Sequence, residues 1–127
     1  MNHAYLSIGS NTGDRKLNVQ RAIELLSSNH IDVLDDTDIY ETPCCHGHGP
    51  DYLNTVIHVG CERNLSEVTS LTKQIERQMG RTPQDKGTGI VPIDIDVVIW
   101  NSQIVRPTDY DHEYFKKGYR ILNHDIG

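Results

Sequence analysis

Residues 91–100 read VPIDIDVVIW, and this stretch constrains the fold more than any other in the chain. Its run of β-branched residues predicts a strand. Side chains alternate across a strand, so Asp94 and Asp96 are expected on one face and Ile93, Ile95, Val97 and Ile99 on the other. Two carboxylates side by side on an apolar strand repel each other and resist desolvation. An edge strand with a wet polar face would tolerate them. The flanking isoleucines and valines favour an inner strand, where something must offset the charge. Hard cations such as Mg²⁺ take carboxylate oxygens together with substrate phosphates and water, which would supply that offset.

The elements around this strand follow from periodicity. AYLSIG at residues 4–9 reads as a short strand. GSNTGDR then leads into RKLNVQRAIELLSSN, where Leu17, Val19, Ala22, Ile23, Leu25 and Leu26 recur at helical spacing behind an N-cap at Asp14 or Thr12. IDVLDDTDIYETP suggests one strand with a polar face or a bulge, and residues 52–62 alternate as another. LSEVTSLTKQIERQMG places Val68, Leu71, Ile75 and Met79 on one helical stripe that ends at Gly80. Ile104 and Val105 form a short apolar segment before a tyrosine- and charge-rich tail. The order β-α-β-β-α-β predicts an α+β, ferredoxin-like fold, with two helices on one face of a four-stranded antiparallel sheet. At 127 residues, 1–127 is expected to be one domain.

Composition narrows the function classes. A formal net charge of −6 argues against non-specific binding to nucleic acid or membrane surfaces. It leaves room for a small phosphate ligand, because positive charge is biased toward the second half. Three basic residues face nine acids up to Glu62, whereas nine basic residues follow from Arg63 onward. Three cysteines, two of them adjacent (Cys44 and Cys45), read as reduced thiols. With no secretory leader pattern and no apolar run of membrane-spanning length, a cytoplasmic protein, monomeric and without nucleic-acid or membrane partners, is expected.

Several local groupings carry chemistry, each beside a plainer reading. GSNTGDR could gather an anion at a helix start, but it lacks the Gly-Lys-Ser/Thr ending of a P-loop, and a glycine turn with an N-cap explains it better. CCHGH places Cys44, Cys45, His46 and His48 within five residues, without the spacing of structural zinc. A small metal-binding module built on that loop is the weakest of three functional readings. In PDYLN, Tyr52 and Asn54 project from one strand face, where a ring and a carboxamide could stack on and read a planar heterocycle. Core packing serves them equally well. Glu76 and Arg81, taken alone, read as a solvated helix face and a helix-terminal arginine.

Together, IGSNTGDR, YETP, PDYLN, IERQMGR and PIDIDVVIW resemble one family, the 6-hydroxymethyl-7,8-dihydropterin pyrophosphokinases of folate synthesis. The resemblance implies a ferredoxin-like α/β sandwich and transfer of pyrophosphate from ATP to the pterin hydroxymethyl group, with release of AMP. It implies that Asp94 and Asp96 hold two Mg²⁺ ions that come with ATP. It likewise implies that Tyr52 and Tyr119 sandwich the pterin and that Asn54 bonds its polar edge, helped by backbone groups at Thr42 and Pro43. Glu76, Arg81, Arg106, Thr108 and Lys117 fall where the family meets ATP, with Lys117 in place of an arginine. Arg81 is counted with the two aspartates as catalytic.

The sequence also departs from the family pattern. Val91 stands where an arginine is usual and Thr88 near a tryptophan position. Asp111 occupies a histidine position, with His112 adjacent and able to substitute, and the residues given end a few tens before the usual end. Losing about two charge-assisted contacts, each worth about 1.5–3 kcal/mol, predicts weak ATP affinity or slow turnover. The second reading is therefore a relative that binds pterin or nucleotide without turnover. Loop 81–92, polar and glycine-containing, is the expected mobile lid. Replacing Asp94 or Asp96 by Ala is expected to abolish most activity while stabilising the metal-free fold through relief of the repulsion.

Overall fold

The computed structural model describes residues 1–42, 51–81 and 91–123. In chain order they form β1 (Asn2–Ser10), α1 (Arg15–Ser28), β2 (Asp32–Asp36), β3 (Tyr40–Thr42), β4 (Tyr52–Cys61), α2 (Leu65–Gln78), β5 (Asp94–Trp100), β6 (Gln103–Ile104), α3 (Pro107–Asp111) and α4 (Glu113–Asn123). The strands make one antiparallel sheet in the order β2-β4-β1-β5-β6, with β3 also paired to β4. The chain adopts the α+β ferredoxin-like fold, with additions at both ends of the sheet.

Local chemistry explains the helices. Asp14 accepts from the Leu17 amide at 3.1 Å and caps α1, so Asp14 rather than Thr12 starts that helix. Asn64 and Glu67 form a reciprocal capping box on α2, which then buries Val68, Leu71 and Ile75. Gly80, at φ 101°, turns the chain away just past the helix end. Both helices cover one sheet face, where Leu6, Ile8, Ile57, Val59, Ile95 and Val97 meet Val19, Ala22, Leu26, Val68 and Ile75 in the main core.

Three expectations are corrected. The polar segment after α1 is two short strands rather than one, broken after Asp36 and both laid along β4. The tyrosine-rich tail folds into α3 and α4. Helix α4 covers the second sheet face, where Phe115 is fully buried with Val56, Val98 and Ile99. Its packing depends on Gly118, because a Cβ there would lie 2.4 Å from Val56 Cγ2. Finally, Ile99 does not share a face with Ile93, Ile95 and Val97. The register runs Leu6↔Val97 and then Tyr5↔Ile99, so Val98 is an extra residue. That bulge turns Ile99 onto the face of Asp94 and Asp96.

Candidate functional site

On that second face, beside α4, whose Tyr114 helps to line it, lies a cleft of about 650 Å³. Its floor comes from β1, β4 and β5. Ser7 pairs with Asp96 and Gly9 with Asp94 on one side, and Gly9 pairs with Asn54 on the other. Gly9 is required here: a Cβ would come within 2.8 Å of Asn54 Oδ1 and 3.2 Å of the Tyr52 ring. Asn54 Nδ2 donates to Thr42 Oγ1 at 2.5 Å, which ties β3 to the cleft. Thr108 and His112 from the α3 segment form the opposite wall.

Asp96 is 7% exposed, and three cations surround the carboxylate pair. Arg81 Nη1 lies 2.8 Å from Asp94, Lys73 Nζ lies 3.5 Å from Asp96, and Arg106 Nη2 lies 3.7 Å from Asp96. Burial, together with the adjacent Asp94 charge and hydrogen bond, pushes Asp96 up to about 7. Burial acts on Asp94 in the same sense, but hydrogen bonds from Asp96 and Arg81 outweigh it and hold Asp94 below the usual carboxylate range. The pair thus divides into one firmly ionised carboxylate and one that keeps its proton until near neutrality. Cationic side chains supply part of the charge offset that the strand requires.

The strand is neither fully inner nor wet-edged. Its outer edge between Asp94 and Val97 has no strand partner among the described residues. Glu76, 4% exposed, reaches up from α2 and accepts from the Ile95 amide at 2.8 Å. It also pairs with Lys73 at 3.1 Å and Arg81 at 3.3 Å. Glu76 is therefore a buried edge cap that positions two cleft cations, not a solvated helix face. The GSNTGDR turn has a similar role. Buried Asn11 accepts from the Val91 amide at 2.6 Å and donates its own amide to the Val91 carbonyl at 3.0 Å, fixing where the chain enters β5.

Of the residues singled out from sequence, the fold gathers Thr42, Tyr52, Asn54, Arg81, Asp94, Asp96, Arg106, Thr108 and His112 around the cleft. Tyr119 is elsewhere, stacked on Phe115 at 5.5 Å and edge-on to Tyr5 at 4.9 Å. Lys117 lies over the Tyr40 ring, 5.3 Å from its centroid. Pro43, Cys44, Cys45, His46, His48, Lys86 and Thr88 lie outside the described residues, as does most of loop 81–92. Sequence reasoning missed Lys73, Asp109 and Tyr114. Lys73 could have been found from its i,i+3 spacing to Glu76. Asp109 bonds both Arg106 and Tyr114, contacts that only the folded tail reveals.

The chain is 33% identical over 104 residues to 2-amino-4-hydroxy-6-hydroxymethyldihydropteridine pyrophosphokinase of Bacillus subtilis, covering 80% of this chain and 62% of that protein. It is 35% identical over 99 residues to the protein of the same name in Porphyromonas gingivalis, covering 75% of this chain and 67% of that protein. A mitochondrial folate synthesis bifunctional protein of Pisum sativum is 31% identical over 102 residues, covering 80% of this chain and 20% of its own length. The chain thus spans about two thirds of the length of the bacterial relatives. The family model for 7,8-dihydro-6-hydroxymethylpterin-pyrophosphokinase matches residues 5–120, nearly the whole of the chain given. The chain belongs to the 7,8-dihydro-6-hydroxymethylpterin-pyrophosphokinase family.

Proposed function

We propose that this protein transfers pyrophosphate from ATP to 6-hydroxymethyl-7,8-dihydropterin, releasing AMP, with Mg²⁺ bound at Asp94 and Asp96. The observation that carries this reading is the adjacent carboxylate pair at one end of a cleft whose other end presents Tyr52 and Asn54. The donor set fits the ion: two carboxylates sharing one strand face are hard oxygen ligands, with room beside them for phosphate oxygens and water. Bound there, Mg²⁺ supplies charge neutralisation and alignment for the phosphoryl group.

The chain's own residues do the rest. Tyr52 stacks on the flat pterin, and Asn54, held by Thr42, reads its polar edge. Lys73, Arg81 and Arg106 receive the triphosphate, exchanging carboxylate partners for phosphate oxygens. Glu76 keeps Lys73 and Arg81 at the cleft while that exchange occurs. In the reaction the hydroxymethyl oxygen bonds to the β-phosphorus and loses its proton to water. The bond from the β-phosphorus to the bridging α-phosphate oxygen breaks, and AMP leaves with that oxygen.

The test is AMP release from ATP with Mg²⁺, with and without the pterin. Pterin-dependent AMP that falls about 100-fold or more in Asp94→Asn and in Asp96→Asn supports the reading. Pterin binding without AMP production would overturn it in favour of a binding relative.

A further inference from the structure

At the other end of the second sheet face two histidines meet. His58 pairs with Tyr5 in the register of β1 and β4, so His3 is its diagonal neighbour on the same face. His3 Nδ1 and His58 Nε2 are 3.1 Å apart. Tyr5 lies flat against His58, with centroids 4.8 Å apart and planes at 13°, and this fixes the imidazole plane. Both histidines line a second cavity of about 710 Å³, together with Tyr5, Tyr110 and Tyr119. Its described lining shares no residue with that of the cleft.

Two imidazole nitrogens at this distance can share a proton, as neutral donor and neutral acceptor. They also match a chelating pair. Nitrogens each about 2.0–2.1 Å from a tetrahedral zinc ion stand about 3.3–3.4 Å apart, so a small side-chain rotation converts one arrangement into the other. A cation would displace the shared proton, and neutral imidazole is the ligand form. We propose that His3 and His58 form a two-imidazole site for a divalent ion of the zinc class, with its remaining positions filled by water on the cavity side. Imidazole nitrogens select such borderline ions and not Mg²⁺, so this site differs in metal from the carboxylate pair. Asp35 stands opposite His58 on β2 and adds a nearby negative charge that favours a cation. Among the described residues no group of three or more His, Cys, Asp or Glu is placed to hold an ion. An open site follows, weaker than a closed structural one.

Calorimetric titration of the full chain with zinc chloride tests this. The Cys44→Ser, Cys45→Ser, His46→Ala, His48→Ala background removes the loop donors, and millimolar Mg²⁺ occupies the carboxylates. One zinc ion should bind. His3→Ala should weaken it at least about tenfold, as should His58→Phe, which keeps the ring stacked on Tyr5. The double variant should bind no more tightly than either single one, because each single variant keeps at most one imidazole ligand. Exposed His3 can be replaced without unfolding the sheet, so that variant decides the matter if His58→Phe melts early by circular dichroism. Unchanged affinity in either folded single variant, or no zinc uptake up to about 1 mM, would overturn the proposal.

Discussion

Asp94 and Asp96 are two residues apart, yet removing their charges should move stability in opposite directions. Arg81 holds Asp94 at 2.8 Å, so Asp94→Asn is expected to destabilise the metal-free fold by about 1 kcal/mol after solvent screening. This reverses the simple repulsion argument for that position. Asp96 follows the argument: Asp96→Asn should stabilise the metal-free fold at pH 8, by about 4 kcal/mol at most. Urea unfolding of both variants, beside AMP release, checks the split. The same asymmetry sets a pH dependence. Asp96 rises from an ordinary value of 3.8 to about 7 in the folded protein, so the folded state holds that proton more tightly. Its stabilising effect is complete below about pH 4 and is lost as pH rises toward 7, by on the order of 4 kcal/mol at most. Without divalent ions, the stability of wild type relative to Asp96→Asn should therefore fall from pH 4 to pH 7. A flat difference would mean that Asp96 ionises as an ordinary carboxylate. The shared face of the two aspartates was legible because strand periodicity is two. The turn of Ile99 onto that face was not, because a bulge leaves no signature in a run of valines and isoleucines.

Among the elements, the contact of α2 with the open edge of β5 matters most. Glu76 satisfies the Ile95 amide and balances two cations from a buried position. Glu76→Ala should cost about 3–5 kcal/mol, because it strands the Ile95 amide and takes a buried carboxylate from Lys73 and Arg81, leaving them only Asp96 and Asp94. Denaturant melts measure the loss, and hydrogen exchange should speed up at Ile95 before the rest of β5. Lys73→Gln leaves the edge cap in place and should mainly raise the KM for ATP, by about tenfold. Helix α2 itself was readable from its apolar stripe and its terminal glycine. The burial of Glu76 was not, because a glutamate on the outer side of an amphipathic helix looks the same whether it faces water or a strand edge. Helices α3 and α4 were missed for a related reason. Tyr114, Phe115, Tyr119 and Leu122 do form a helical stripe, but tyrosine reads as polar or apolar according to what covers it, and the sheet that covers it lies far away in sequence.

For the whole molecule, the charge bias of the sequence becomes spatial: Lys73, Arg81 and Arg106 all come from the second half and converge on one cleft. The helix that completes the second face rests on a single missing methyl. Gly118→Ala would drive a Cβ into Val56 and the Tyr40 hydroxyl, costing about 1–3 kcal/mol. Val56→Ala in the same chain should recover part of that loss, and a double-mutant cycle of thermal melts measures how much. The arrangement was largely legible at this scale because the central strands announce themselves by alternating and β-branched apolar residues. What sequence could not supply was how the second face is shared between a binding cleft at one end and an aromatic cluster at the other. The extra residue at Val98 acts as a counting device. Deleting Val98 would leave an unbroken pleat, with Ile99 still opposite Tyr5 and Trp100 still opposite Ala4. The segment carrying Arg106 would start from the same face as before, and the arginine would keep its approach to the aspartates. The strand thus counts its residues in pairs on either side of Val98, and the site depends on every residue of β5 except the one that stands outside the count.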